Sequence, residues 1–317
     1  MLTSPAQGMC KNLVEKGKLS EPLLIFNRTK SRADDLSSKI GHSTVAASVE
    51  ELVSKSDIIF YCLGDDASVL EMVDNILKTS VKGKLLVDCS TIHPDTTKQE
   101  NEKITSAGAH FVAMPVFGAP AMADSGNLVC VAAGKAEDVE KVRPYTTGVM
   151  GRAIIDYSGQ EPSKATLLKI VGNTFILSMV TTLAEGHVVA QTSGLGTDEL
   201  HKFVETMFPG PYTAYSTRML SGDYYQRQEP LFAVDLARKD ARHAKKVAED
   251  SGTFLSKAVL VPKNLDQLTH GGQANSRTGT RMRIAELGDE YLASVKDEMG
   301  EKGDIAGICK STPQTLT

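Results

Sequence analysis

The sequence predicts a doubly wound α/β domain followed by an all-α domain built on one long central helix. Three observations carry this: short apolar runs alternating with helix-like segments through the first half, a turn-rich break near residue 160, and an almost unbroken helical pattern after it. The apolar runs at 23–26, 57–62, 85–89, 111–114 and 128–132 are four to six residues long, the signature of strands buried on both faces. Helix-like segments at 31–39, 49–54, 67–77 and 96–107 lie between them, which is the alternation of a Rossmann-type parallel sheet. A helix over 8–16 precedes the first run. This domain is expected to occupy residues 1–158.

The break reads Tyr157-Ser158-Gly159-Gln160-Glu161-Pro162. From 164 to 193 the helical pattern is apolar around most of its circumference, so the helix is expected to be buried in a larger assembly. At about 1.5 Å per residue it would span on the order of 45 Å, which suits a domain or subunit interface. Further helices are expected over 198–208, 233–251 and 279–299, completing a second domain at 159–317, with a loose tail from Ser311.

Composition narrows the function. The chain has 317 residues, 41% hydrophobic and 23% charged, with a net charge of −4 and no dense basic tract, so nucleic acid is not an expected partner. Its five cysteines are odd in number and widely spaced, as in a reduced, cytoplasmic protein. There is no signal-peptide pattern and no run of about 18 uninterrupted apolar residues, so neither export nor a membrane partner is expected.

The first run ends in Asn27-Arg28-Thr29. At the end of the second strand of a dinucleotide-binding fold an acidic residue favours NAD, whereas arginine accommodates the extra phosphate of NADP. Arg28 therefore points to NADP(H), with NAD the less favoured cofactor; a basic solvated turn is the plain alternative. Counting back about 20 residues should reach a first strand and its glycine-rich loop. Instead Thr3 and Ala6 stand where the second and third glycines would fall. The sheet is expected to be N-terminally truncated, through loss of a segment or with a repaired edge.

Five segments then follow in order: Cys62-Leu63-Gly64-Asp65-Asp66, Asp88-Cys89-Ser90-Thr91-Ile92-His93-Pro94, Met114-Pro115-Val116-Phe117-Gly118, Lys169 with Asn173, and Lys239-Asp240. Together they resemble the 3-hydroxyisobutyrate dehydrogenase (β-hydroxyacid dehydrogenase) family, related to 6-phosphogluconate dehydrogenase. The likeness runs from about Gly8 to Gly307 and includes Gly303-Asp304-Ile305-Ala306, which is similar to a C-terminal GD motif. The resemblance implies an oxidoreductase moving hydride between a nicotinamide and a small carbonyl or hydroxyacid, working as a homodimer or homotetramer.

It implies a catalytic acid/base at Lys169, with Asn173 on the same helix face orienting substrate or lysine. Cofactor contacts are implied at Leu63, Gly64, Ser90, Thr91, Lys239 and Asp240, beside Asn27, Arg28 and Thr29. At 117–119, where the family carries a Ser-Gly-Gly that holds a carboxylate, this chain has Phe117, Gly118 and Ala119. That change removes a hydroxyl, adds bulk and opens the way to a larger carbonyl or an imine. His93 precedes a proline in a turn and is left out of the site. A non-catalytic homologue that keeps the fold as an interaction protein is the competing expectation.

Overall fold

The computed structural model describes residues 4–251 and, beyond them, 292, 293, 295–297, 300 and 305. Thr3, Cys309, Gly303-Asp304 and most of the helix expected over 279–299 lie outside the described residues. The chain divides into two compact units, 1–170 and 171–317.

The first unit opens with α1 (Ser4–Lys16), followed by β1 (Leu23–Ile25), α2 (Lys30–Ile40), β2 (Ser43–Val45), α3 (Val49–Lys55), β3 (Ile58–Tyr61) and α4 (Asp66–Ile76). It continues through β4 (Leu85–Asp88), α5 (Pro94–Ser106), β5 (His110–Ala113), β6 (Val116–Phe117), α6 (Pro120–Asp124), β7 (Leu128–Gly134), α7 (Ala136–Val142) and β8 (Gly151–Ser158). Strands β3, β4 and β5 pair in parallel, in register from Ile58 with Leu85 and from Leu85 with His110. β7 runs antiparallel to β5 and β6 and parallel to β8, so the far side of the sheet is mixed.

The period-2 alternation of side chains divides this six-stranded sheet between two cores. Leu86, Phe111, Ala113 and Val131 pack with Val53, Val73 and Ile104 on one face. Leu85, Val87, Val112 and Cys130 pack with Met9 and Leu13 of α1 on the other. Each fully buried leucine there contributes roughly 1.5–3 kcal/mol of transfer free energy. Gly8 lets α1 lie directly on α6, since a Cβ at that position would come within 2.5 Å of the Ala123 backbone.

The sheet is not continuous. β1 and β2 form a parallel two-stranded sheet of their own, with a small core of Ile25, Ala33 and Leu36. Between β1 and β3 lies an apolar cavity of about 110 Å³, lined by Met9, Cys10, Phe26, Tyr61, Cys62 and Met72 among others. Neither β1 nor β3 pairs across it among the described residues. This is where the sequence places the break in the sheet, and the edge is not rebuilt by another described strand.

α8 (Ser163–Thr192) is a single 30-residue helix, as its pattern predicts, and the division between the units falls within it. It leads into α9 (Thr197–Met207), α10 (Pro211–Ser221), α11 (Asp223–Gln226) and α12 (Val234–Asp250). Leu177, Val180 and Leu183 of α8 form the core of the second unit with Val204, Met219, Val234, Ala237 and Ala241. By length and composition α8 could cross a membrane, with a window of mean hydropathy 1.6. Its buried His187 is tied into the helical unit: His187 Nε2 lies 2.8 Å from the Ser216 hydroxyl, which also meets His201 Nδ1 at 2.8 Å.

Candidate active site

In the first unit the predicted cofactor residues stand in turns at the carboxyl ends of parallel strands. After β1, the buried Asn27 side chain donates to the Thr29 carbonyl at 2.8 Å, shaping the turn that leaves Arg28 exposed before α2 begins. After β3, the Leu63 amide donates to Ser90 Oγ at 2.9 Å, joining the turns that follow β3 and β4. Asp65 fixes the same region by capping α4, accepting the Ser68 amide at 2.7 Å. Ser90 is fully buried and its own amide donates to Asp88 Oδ1 at 2.8 Å, while Thr91 is half-buried. His93 caps α5 through its ring, which accepts the Asp95 amide. This is a structural task.

The 117–119 segment closes β6 and opens α6. Gly118 holds φ at +144°, and a Cβ there would come within 2.7 Å of Leu128, so both conformation and space require glycine. Phe117 does more than add bulk: the Lys169 ammonium sits over its ring, 4.3 Å from the centroid. Lys169 itself is only 8% exposed. A partly desolvated ammonium on an aromatic face gains on the order of 2 kcal/mol, which holds the Lys169 side chain against the ring.

One turn further along α8, in the second unit, Asn173 Nδ2 donates to Asp240 Oδ2 at 2.6 Å. Asp240 Oδ1 is paired with Lys239 at 2.9 Å, and all three side chains are buried. Asn173 and the Lys239-Asp240 pair, found separately along the sequence, thus form one charge-compensated network.

Sequence reasoning passed over Asp88, Glu100 and Tyr61. Glu100 is fully buried and accepts the Tyr61 hydroxyl at 3.3 Å. The available signal was spacing: Thr96, Thr97, Glu100 and Ile104 mark one buried face of an otherwise polar helix.

Paired turns at the carboxyl ends of parallel strands, with a buried hydroxyl between them, are the place where open α/β sheets bind a ligand. Residues 6–159 match the family model of the NAD binding domain of 6-phosphogluconate dehydrogenase. The chain is 32% identical to NADH-dependent oxidoreductase ucdB of Aspergillus ustus over 95% of its own length and 93% of the relative's. It is 28% identical to glyoxylate/succinic semialdehyde reductase 1 of Arabidopsis thaliana, over 80% and 85% of the two lengths. The fold matches 3-hydroxyisobutyrate dehydrogenase (ygbJ) from Salmonella typhimurium with a TM-score of 0.77, at 16% identity and over 98% and 97% of the two chains. The chain belongs to the 3-hydroxyisobutyrate dehydrogenase family of NAD(P)-binding oxidoreductases.

Proposed function

We propose that this chain is a reductase of a small carbonyl compound, preferring NADPH, in which Lys169 delivers the proton. The observation that carries the reading is the buried Lys169 ammonium held over Phe117, because reduction needs a proton donor in its charged form where negative charge grows on oxygen.

The turns fit a dinucleotide. They stand at the carboxyl ends of β1, β3 and β4, where ligands of open α/β sheets bind, and 27–29 offers a cation and no carboxylate. Arg28 would take the 2′-phosphate, and Leu63, Gly64, Ser90 and Thr91 would hold the nicotinamide side. When bound, the cofactor supplies the hydride. The chain's own residues do the rest: Phe117 holds the Lys169 ammonium in place, and the Gly118 amide is available to a substrate oxygen. Phe117 in place of a hydroxyl-bearing residue favours a carbonyl with an apolar substituent over a short hydroxyacid, and an imine fits the same chemistry. The exposed Phe175, Val189, Phe203 and Met207, between 52% and 73% exposed, suit burial against a second copy.

Preference for NADH is the second reading, supported by the name of the Aspergillus relative. Calorimetric titration with both dinucleotides separates the two. NADPH is expected to bind at least about tenfold more tightly, with Arg28→Asp reversing the order, as suits loss of one charge-assisted contact. Equal affinities, or an order unchanged in the variant, would remove Arg28 from phosphate recognition. Binding of neither would favour the non-catalytic reading.

A further inference from the structure

Beneath the Ser90 turn lie two buried carboxyl groups from different elements. Asp88 ends β4, Glu100 sits within α5, and both side chains are fully buried. One oxygen of each has a protein donor: the Ser90 amide for Asp88 Oδ1 and the Tyr61 hydroxyl for Glu100 Oε2. The other two, Asp88 Oδ2 and Glu100 Oε1, are buried without a donor among the described residues, although the two carboxyl groups are within hydrogen-bonding reach of each other. Two adjacent buried anions repel and leave both oxygens unsatisfied; one shared proton satisfies both.

We propose that Glu100 is held protonated beneath the cofactor turns, donates to Asp88, and so acts as a positioning residue that fixes Ser90 and, through its hydroxyl, the Leu63 amide. The proton belongs on Glu100 because Asp88 accepts the Ser90 amide at 2.8 Å and lies beside the Ser90 hydroxyl, both of which favour its anion. The groups around the pair point the same way. Burial and then the Asp88 charge hold the Glu100 carboxyl well above the ordinary range, with Asp66 of α4 adding like charge and the Tyr61 hydroxyl opposing. Asp88 itself is pushed up to about 6 by burial, against the pull of Ser90. Cys89 and Tyr61 are held neutral by burial beside them. A proton here completes a chain from Tyr61 through Glu100, Asp88 and Ser90 to Leu63, tying α5 to both cofactor turns.

The test compares the full chain with Glu100→Gln and Glu100→Leu. At neutral pH the wild type is expected to show the infrared carbonyl band of a protonated carboxylic acid, and Glu100→Gln to lose it. Because the folded state keeps a proton that the unfolded state releases, wild-type stability should fall as pH rises above the ordinary carboxylate range; the Gln variant should keep only the shallower slope that buried Asp88 contributes up to about pH 6. Glutamine can donate in place of the acid and should bind the dinucleotide with wild-type affinity. Leucine leaves Asp88 Oδ2 and the Tyr61 hydroxyl without the Glu100 partner and should weaken binding by about tenfold. No difference in the band or the slope would overturn the shared proton, and wild-type affinity in Glu100→Leu would overturn the positioning role. The positioning role rests on the cofactor reading, so binding of neither dinucleotide by the wild type would sink both, while band and slope would still decide the proton.

Discussion

The two units bury carboxylates by different means. Asp88, in the sheet unit, shares its surroundings with a second acid and is reconciled to burial by a proton, whereas Asp240, in the helical unit, is paired with Lys239 and bonded by Asn173. A proton can leave as pH rises, but a lysine beside its partner cannot be removed without mutation. The Asp88 pair in the sheet unit is therefore expected to answer to pH and the Asp240 pair in the helical unit to substitution.

The largest effect expected is on the helical side. Lys239→Met strands a buried Asp240 charge and should cost about 3–5 kcal/mol in chemical denaturation. A loss under about 1 kcal/mol would mean that water or another group already compensates Asp240, and the contrast between the units would collapse. Lys169 is a cation of another kind, facing a ring. Lys169→Ala should lower turnover by about a hundredfold or more, the lower range for a general acid, and leave dinucleotide affinity intact. Near-normal turnover would remove it from the chemistry.

The smallest effect adds a third way of burying a titratable group. Burial, with His201 nearby, holds the His187 imidazole below its ordinary range, so it stays neutral in the folded chain. A depressed folded value makes the stability it contributes complete above about pH 6.5 and lost as pH falls below that. His187→Gln should flatten this acid-side decline in thermal denaturation. An unchanged decline would place its origin in another group.

The sequence made the site legible wherever spacing or adjacency carried it. Lys169 and Asn173 lie one helical turn apart, Lys239 and Asp240 are neighbours, and Ser90 follows an apolar run. It concealed what depends on packing between distant segments: Glu100 reads as one more polar residue in 96–107 until α5 is laid on the sheet. The fold divides in the same way. Fully buried β4 announces itself as Leu-Leu-Val, whereas β2 is Ser-Thr-Val and β8 carries Arg152 and Asp156 on an exposed face, so neither stands out from a turn. α10 begins at Pro211 after Gly210, a start signal outweighed by a polar composition.

The cavity between β1 and β3 also carries a probe. Cys10 lines it from α1, and burial, with Cys62 close by, pushes the Cys10 thiol up to about 12. Cys10 is half-buried and almost no thiolate is present at neutral pH, so an alkylating reagent reacts there only slowly. The labelling half-life of Cys10 thus reports on its surroundings in the split sheet, and its lengthening with dinucleotide would measure how far the ligand shields that gap.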